Sequence, residues 1–147
     1  MIDNKIERIV APFVSIRKKE RPELCAVHMD GNIVEATDSF AAVRVTMHGE
    51  MPKGLYDPKT FKDVSYVNDN YPQIGMVIPT DKPIASVSLN FDYLARAAKA
   101  AKLFSRKHGL KDVRISFYGN DRPVVLTCDE SDLGKKLEVL IMPIRGH

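Results

Sequence analysis

Apolar and polar residues repeat with helical spacing in two stretches of the chain and with strand spacing in several others. The clearest helix runs from Asn90 to Gly109. At about 100° per residue, Tyr93, Leu94, Ala97, Ala98, Ala100, Ala101 and Phe104 fall on one half of it. Arg96, Lys99, Lys102, Arg106 and Lys107 fall on the other, interrupted only by Asp92, Ala95 and Leu103. Asn90 is placed to cap the N-terminus through its side-chain oxygen, and Gly109 to close the C-terminus in the left-handed conformation. Arg106, Lys107 and His108 suit the negative end of the helix dipole. Ile6, Ile9, Val10, Phe13 and Ile16 recur at the same period, with Arg8, Ser15, Lys18 and Lys19 opposite. Pro12 lies within that stretch and costs about 3 kcal/mol in a helix interior, so the spacing predicts a helix that kinks there or starts at Ala11.

Strand patterns fill much of the remainder. Leu24 to Met29 reads as a strand, Asp30-Gly31-Asn32 as a tight hairpin turn, and Ile33 to Ala36 as the return. Phe40 to Met47 alternates as a third strand. Residues 48–84 hold Pro52, Pro58, Pro72, Pro79 and Pro83 together with three glycines, and read as a connector. Within it, Pro58 to Val64 suggests a helical turn and Gly75 to Ile78 an extended piece. Ala85 to Leu89 alternates as a strand before the basic helix. Val113 to Tyr118, a turn at Gly119-Asn120-Asp121, Pro123 to Cys128, an acidic loop Asp129 to Asp132 and Leu137 to Met142 follow. Helix, strand, tight turn, strand, strand thus occurs twice. The expectation is an α+β fold, one domain over 1–147, with half-units at about 4–47 and 85–145 around the 48–84 connector.

Composition narrows this picture only a little. The chain has 147 residues, 44% hydrophobic and 28% charged, which suits a folded domain rather than a disordered one. The net charge of +3 is small, so affinity for a polyanion has to come from clustering of the cations. The charged start, Met1 to Arg8, lacks a secretory apolar core, and no run is long enough to span a membrane; a cytoplasmic protein is expected. Cys25 and Cys128 read as small core residues in strand-like runs.

Catalytic signatures do not emerge. The four histidines show no metal-ligand spacing, and His28 reads as a satisfied or exposed strand residue. There is no Gly-rich phosphate loop, serine elbow or convincing carboxylate pair. No cofactor and no enzymatic activity are expected. The basic helix face admits two readings. Solvation is the ordinary one, and the near absence of acid argues for phosphate contact instead.

Several segments carry a family resemblance. Ser88 to Leu94, Val113 to Phe117, Arg122 to Leu126 and the ending Leu140-Ile141-Met142-Pro143-Ile144-Arg145 resemble the last part of the bacterial sliding clamp, the beta subunit of DNA polymerase III. Ala36-Thr37-Asp38 resembles the family's ATDGHRLA stretch, and Tyr71-Pro72 to Val77-Ile78-Pro79 its YPDYxxVIP connector. The resemblance covers about 24–145, in order. It implies a DNA-clamp fold whose helices face duplex DNA, touching phosphates without reading bases. Arg96, Lys99, Lys102, Arg106, Lys107, Arg8, Lys18 and Lys19 would then be the DNA-binding residues.

The resemblance also implies a pocket for a short peptide motif of a polymerase or clamp loader, at Thr37, Pro72, Val77, Asn90, Tyr93, Leu140, Met142, Pro143, Ile144 and Arg145. Ser39, Phe40 and Ala41 stand where the family has Gly, His and Arg, so the turn has less backbone freedom and the pocket is more apolar. Family rings contain six such domains, so a chain with one would close a ring only as a homo-oligomer. The expected function is a processivity factor that tethers a DNA enzyme. The alternative is a clamp-like adaptor or regulator that binds proteins and does not encircle DNA.

Overall fold

A computed structural model of the chain describes residues 4–66, 70–105, 112–130 and 134–145. The chain divides into two compact units, Met1–Thr80 and Asp81–His147. Each packs a helix on an antiparallel sheet, so the α+β class holds.

In the first unit, helix α1 (Asn4–Val10) ends just before Pro12, and Ala11–Phe13 continue as a single 3-10 turn. The proline ring and its missing N–H stop the α-helical ladder there. Val14 is already extended, so the apolar period does not run on to Ile16, which is 93% exposed. Lys18 and Lys19 lie in a following turn and not on the helix. Cys25 closes a second 3-10 turn, Pro22–Cys25, instead of sitting in a strand.

Strand β1 (Val27–Thr37) pairs antiparallel with β2 (Ala42–Tyr56). The expected hairpin turn at Asp30-Gly31-Asn32 is instead a break in register within one continuous strand, with Gly31 at φ 59°. Gly31 is in the left-handed region, which glycine enters without a Cβ clash, and the unpaired extra residues at the break lie on the β2 side. The chain reverses later, at Asp38–Ala41, where Asp38 Oδ1 accepts from the Phe40 and Ala41 N–H groups at 2.9 Å each. Ser39 occupies the left-handed position of that turn, at φ 81°.

The start of the expected connector is therefore strand. Pro52 is tolerated because each strand of a two-stranded sheet is an edge strand. Val10, Val27, Met29, Val34, Ala36 and Tyr56 form the core, with Phe13, Val43 and Val45 packed against it. At 58–61 the Phe61 N–H, donating to Asp57 O at 2.8 Å, closes a single helical turn capped by Asp57, and the chain then bridges from Asp63 to Tyr56. Ile74–Val77 form one helical turn, α2, where an extended piece was expected.

In the second unit, α3 (Phe91–Phe104) follows an irregular segment. Ala85 to Leu89 alternates in sequence but forms no strand; Val87 and Leu89 pack against the sheet core, and Ile144 N–H donates to Ser88 O at 2.9 Å. Asn90 caps α3 as expected, its Oδ1 accepting from Asp92 N–H at 2.8 Å. Strands β3 (Arg114–Ser116), β4 (Val124–Glu130) and β5 (Lys135–Ile141) form an antiparallel sheet in that order. The turn after Tyr118 is confirmed, with Arg122 N–H donating to Gly119 O. Ala97 packs on Val124, Leu126 and Ile141 to make a small core. The doubled strand pattern does not repeat strictly: among the described residues the first unit's sheet has two strands and the second's has three.

Candidate functional site

Helix α3 carries the best-formed cationic surface. Ala97 is buried, which turns Arg96, Lys99 and Lys102 outward, and all three are exposed. Their three-residue spacing steps round the helix by about 60° at a time, so they make a slanted row and not a ring. Asp92 is the lone acid of α3 and lies in its first turn, where the dipole favours it. The Arg96 guanidinium sits 5.1 Å from the Tyr93 ring centroid, which orients it by cation–π attraction. Arg106 and Lys107 lie outside the described residues, as does Gly109. In the first unit Arg8 is exposed on α1, whereas exposed Lys18 and Lys19 are in the turn noted above.

The residues expected to make a peptide pocket are divided between the units. In the first, Thr37 is buried at the end of β1 and its N–H donates to Tyr71 Oη at 3.2 Å. Its hydroxyl donates to Ala41 O at 2.8 Å, so Thr37 ties the β1–β2 turn together. Pro72 is half-buried next to Tyr71, and Val77 is 79% exposed at the end of α2. Phe40 and Met76 are also largely exposed, which gives this unit an apolar rim.

In the second unit, Pro143, Ile144 and Arg145 line a cavity of about 380 Å³ with Ser86, Val87 and Asn120. Leu140 and Met142 are exposed beside it on the terminal strand and tail. Asn90 and Tyr93 belong to the start of α3 and do not line that cavity.

A polar cluster on the first unit was not anticipated. His28 Nδ1–H donates to Glu35 Oε1 at 2.8 Å, and the His28 ring stacks on Tyr71 with centroids 4.9 Å apart and planes 12° from parallel. Arg44, the register partner of Glu35, brings Nε to 3.5 Å from Oε2. Its guanidinium lies against Gly75, where a Cβ would come within 3.1 Å of Nη1. Burial and the nearby Glu35 and Glu23 charges push the Tyr71 hydroxyl well above its usual range, against the Thr37 N–H that lowers it, so it stays neutral. The cluster binds the Tyr71–Gly75 segment to the sheet. His28 is thus satisfied, as expected, but its partner was missed. A Glu between Val34 and Ala36 was the available signal, since a charge amid core residues needs a partner.

Among the described residues, no group of three His, Cys, Asp or Glu side chains is arranged to hold a metal ion, and no helix is long and apolar enough to cross a membrane. No family model matches the chain, and no curated protein or solved structure is significantly similar to it.

Proposed function

We propose that this chain is a clamp-like processivity factor that binds duplex DNA non-specifically, tethers a polymerase or other DNA enzyme by peptide capture, and performs no chemistry itself. The observation that carries the reading is the row Arg96, Lys99 and Lys102, exposed on a 14-residue helix with one acid. A rise of about 1.5 Å per residue separates successive cations by about 4.5 Å along the axis, close enough for a phosphate backbone to engage several together. A solvating face is expected to mix both signs, and this one does not. The helix-on-sheet build of each unit supports a clamp-type architecture, and the tail Leu140 to Arg145 supports it by resemblance. Within the second unit, exposed Leu140 and Met142 supply apolar contacts of the kind a short peptide motif uses.

Encirclement of DNA by these 147 residues would call for several copies in a homo-oligomer. The test is retention on nicked circular DNA against the same DNA linearised, at matched salt, alongside light scattering. Retention on the circle with loss from the linear form is expected. A strict monomer without salt-dependent DNA binding overturns the reading. The adaptor alternative gains from the position of Arg96 over Tyr93, which engages one cation within the protein. Charge reversal at Arg96, Lys99 and Lys102 decides between them, because an adaptor loses nothing on DNA.

A further inference from the structure

A sheet edge presents backbone N–H and C=O groups that its own sheet does not bind, and the edges of this protein are not alike. β3 has three residues, and both strands of the first unit's sheet are interrupted by register shifts, with Pro52 in β2. β5 differs. Its seven residues, Lys135–Ile141, pair with β4 in unbroken register. Among the described residues no backbone hydrogen bond reaches its other edge. A regular edge of this length, without proline or bulge, is a template for another strand.

The side chains along that edge say which strand it fits. Val139 and Ile141 pack with Ala97 of α3, so Lys136, Glu138 and Leu140 point to the opposite face. Lys136 Nζ lies 3.1 Å from Glu138 Oε1, and both side chains are about half exposed. Two opposite charges two residues apart on one face make the edge complementary to itself. Directly opposite residues of an antiparallel ladder are both hydrogen-bonded or both not, so a strand paired with its own copy is centred on a residue. Centring on Lys135, Lys136 or Glu138 sets like charges against each other. Centring on Val139 or Leu140 leaves Glu138 opposite Leu140 or Met142 and draws the pairing toward Ile144, whose N–H is already bonded to Ser88 O. Centring on Leu137 sets Lys136 opposite Glu138 of the second copy, twice by symmetry, with Leu137 opposite Leu137.

We infer that β5 is the docking edge for a second copy of this chain, the two β5 strands pairing antiparallel about Leu137 so that the two three-stranded sheets run on as one. The contact is two-fold and closes on itself, so a ring would need a further, head-to-tail contact. It uses no cation of α3 and is tested without DNA, so it stands or falls separately from the DNA reading.

Sedimentation equilibrium on the wild-type chain measures the dimer, with thermal unfolding recorded on every variant. A monomer–dimer equilibrium is expected. Glu138→Lys sets Lys against Lys136 in both pairs, and because residue 138 faces Thr127 on β4 it leaves the sheet's own pairing undisturbed. Dimerisation is expected to weaken at least about fivefold. Lys136→Glu sets two acids against each other in the same way, and it also faces Asp129 on β4, so its melting curve is the check on its fold. Mixing the two variants restores a Lys–Glu pair on each side of the axis, and a heterodimer with an affinity within about threefold of wild type is expected. A wild-type chain that stays monomeric, a dimer that Glu138→Lys leaves unchanged, or two folded variants that do not associate with each other overturns the inference.

Discussion

His28 and Glu35 stand seven residues apart on one strand, an odd separation, yet their side chains meet on the same face at 2.8 Å. On a regular strand an odd separation puts two residues on opposite faces. The register break around Gly31 restores the match, and it also keeps both Met29 and Val34 in the core. Phase along β1 is thus set at Gly31, which holds φ 59° in open space. Gly31→Val meets no neighbour but must enter the left-handed region. An unfolding free energy lower by about 1–2 kcal/mol is expected in urea melts.

Ser39 offers the converse case. It holds φ 81° in the turn that Asp38 organises, at the position where a glycine is strain-free. Ser39→Gly keeps the backbone N–H that Thr37 Oγ1 accepts and removes the Cβ strain. The gain is reduced by the greater freedom of glycine in the unfolded chain. A net stabilisation of up to about 1 kcal/mol is expected from the shift in denaturant midpoint.

Acid sensitivity follows from two turn aspartates. Backbone N–H groups of Ala41, then Phe40, hold the Asp38 carboxyl below the usual range, and those of Thr60, then Lys59, do the same for Asp57. A folded-state value below the unfolded one means that the charged carboxylate favours the folded state. Their contribution is complete above the ordinary aspartate value of about 3.9 and is lost as pH falls through the lower folded values. The urea midpoint is expected to decline below about pH 4, and Asp57→Asn to be less stable at neutral pH with a shallower acid decline.

Two glycines separate a rigid neighbour from a flexible one. A Cβ on Gly54 would lie 2.7 Å from Ser65 Oγ, which accepts from Leu55 N–H at 3.0 Å. Gly54→Ala is expected to displace that hydroxyl and cost about 1 kcal/mol. At Gly75 the neighbour is the end of the Arg44 side chain, 3.1 Å away, which can move. Gly75→Ala is expected to cost less than about 0.5 kcal/mol in the same melts.

For the DNA face, Lys99→Ala is the mildest probe, since Lys99 is exposed opposite the buried Ala97 side. If it meets one phosphate, the slope of log affinity against log salt drops by about 1 with no change in sequence preference. Fluorescence anisotropy on two duplexes of unrelated sequence measures both.

The sequence was most readable where local chemistry is self-sufficient. Asn90 caps α3, Ala97 marks its buried face, and Gly119 turns the chain between Tyr118 and Arg122, all from short-range rules. It was least readable where pairing overrides local signals. Asp30-Gly31-Asn32 has the composition of a hairpin turn, yet the chain runs on as β1 and only the register with β2 shifts on either side of Gly31. Pro52 argued for a connector, but an edge strand does not need its N–H. Ala85 to Leu89 has strand alternation and no strand beside it. The same limit hid Arg44 from Glu35, because they meet only through a register fixed across the sheet. The exposure of Arg96, Lys99 and Lys102 on one helix was legible from its period, whereas the pocket set depends on long-range placement.

The bond from Ile144 N–H to Ser88 O joins the segment leading into α3 to the one leaving β5. The path into the second unit and the path out of it are therefore neighbours. Such a unit can be joined head to tail by a short linker and reopened at the Gly119–Arg122 turn, giving a circular permutant with the same helix and sheet.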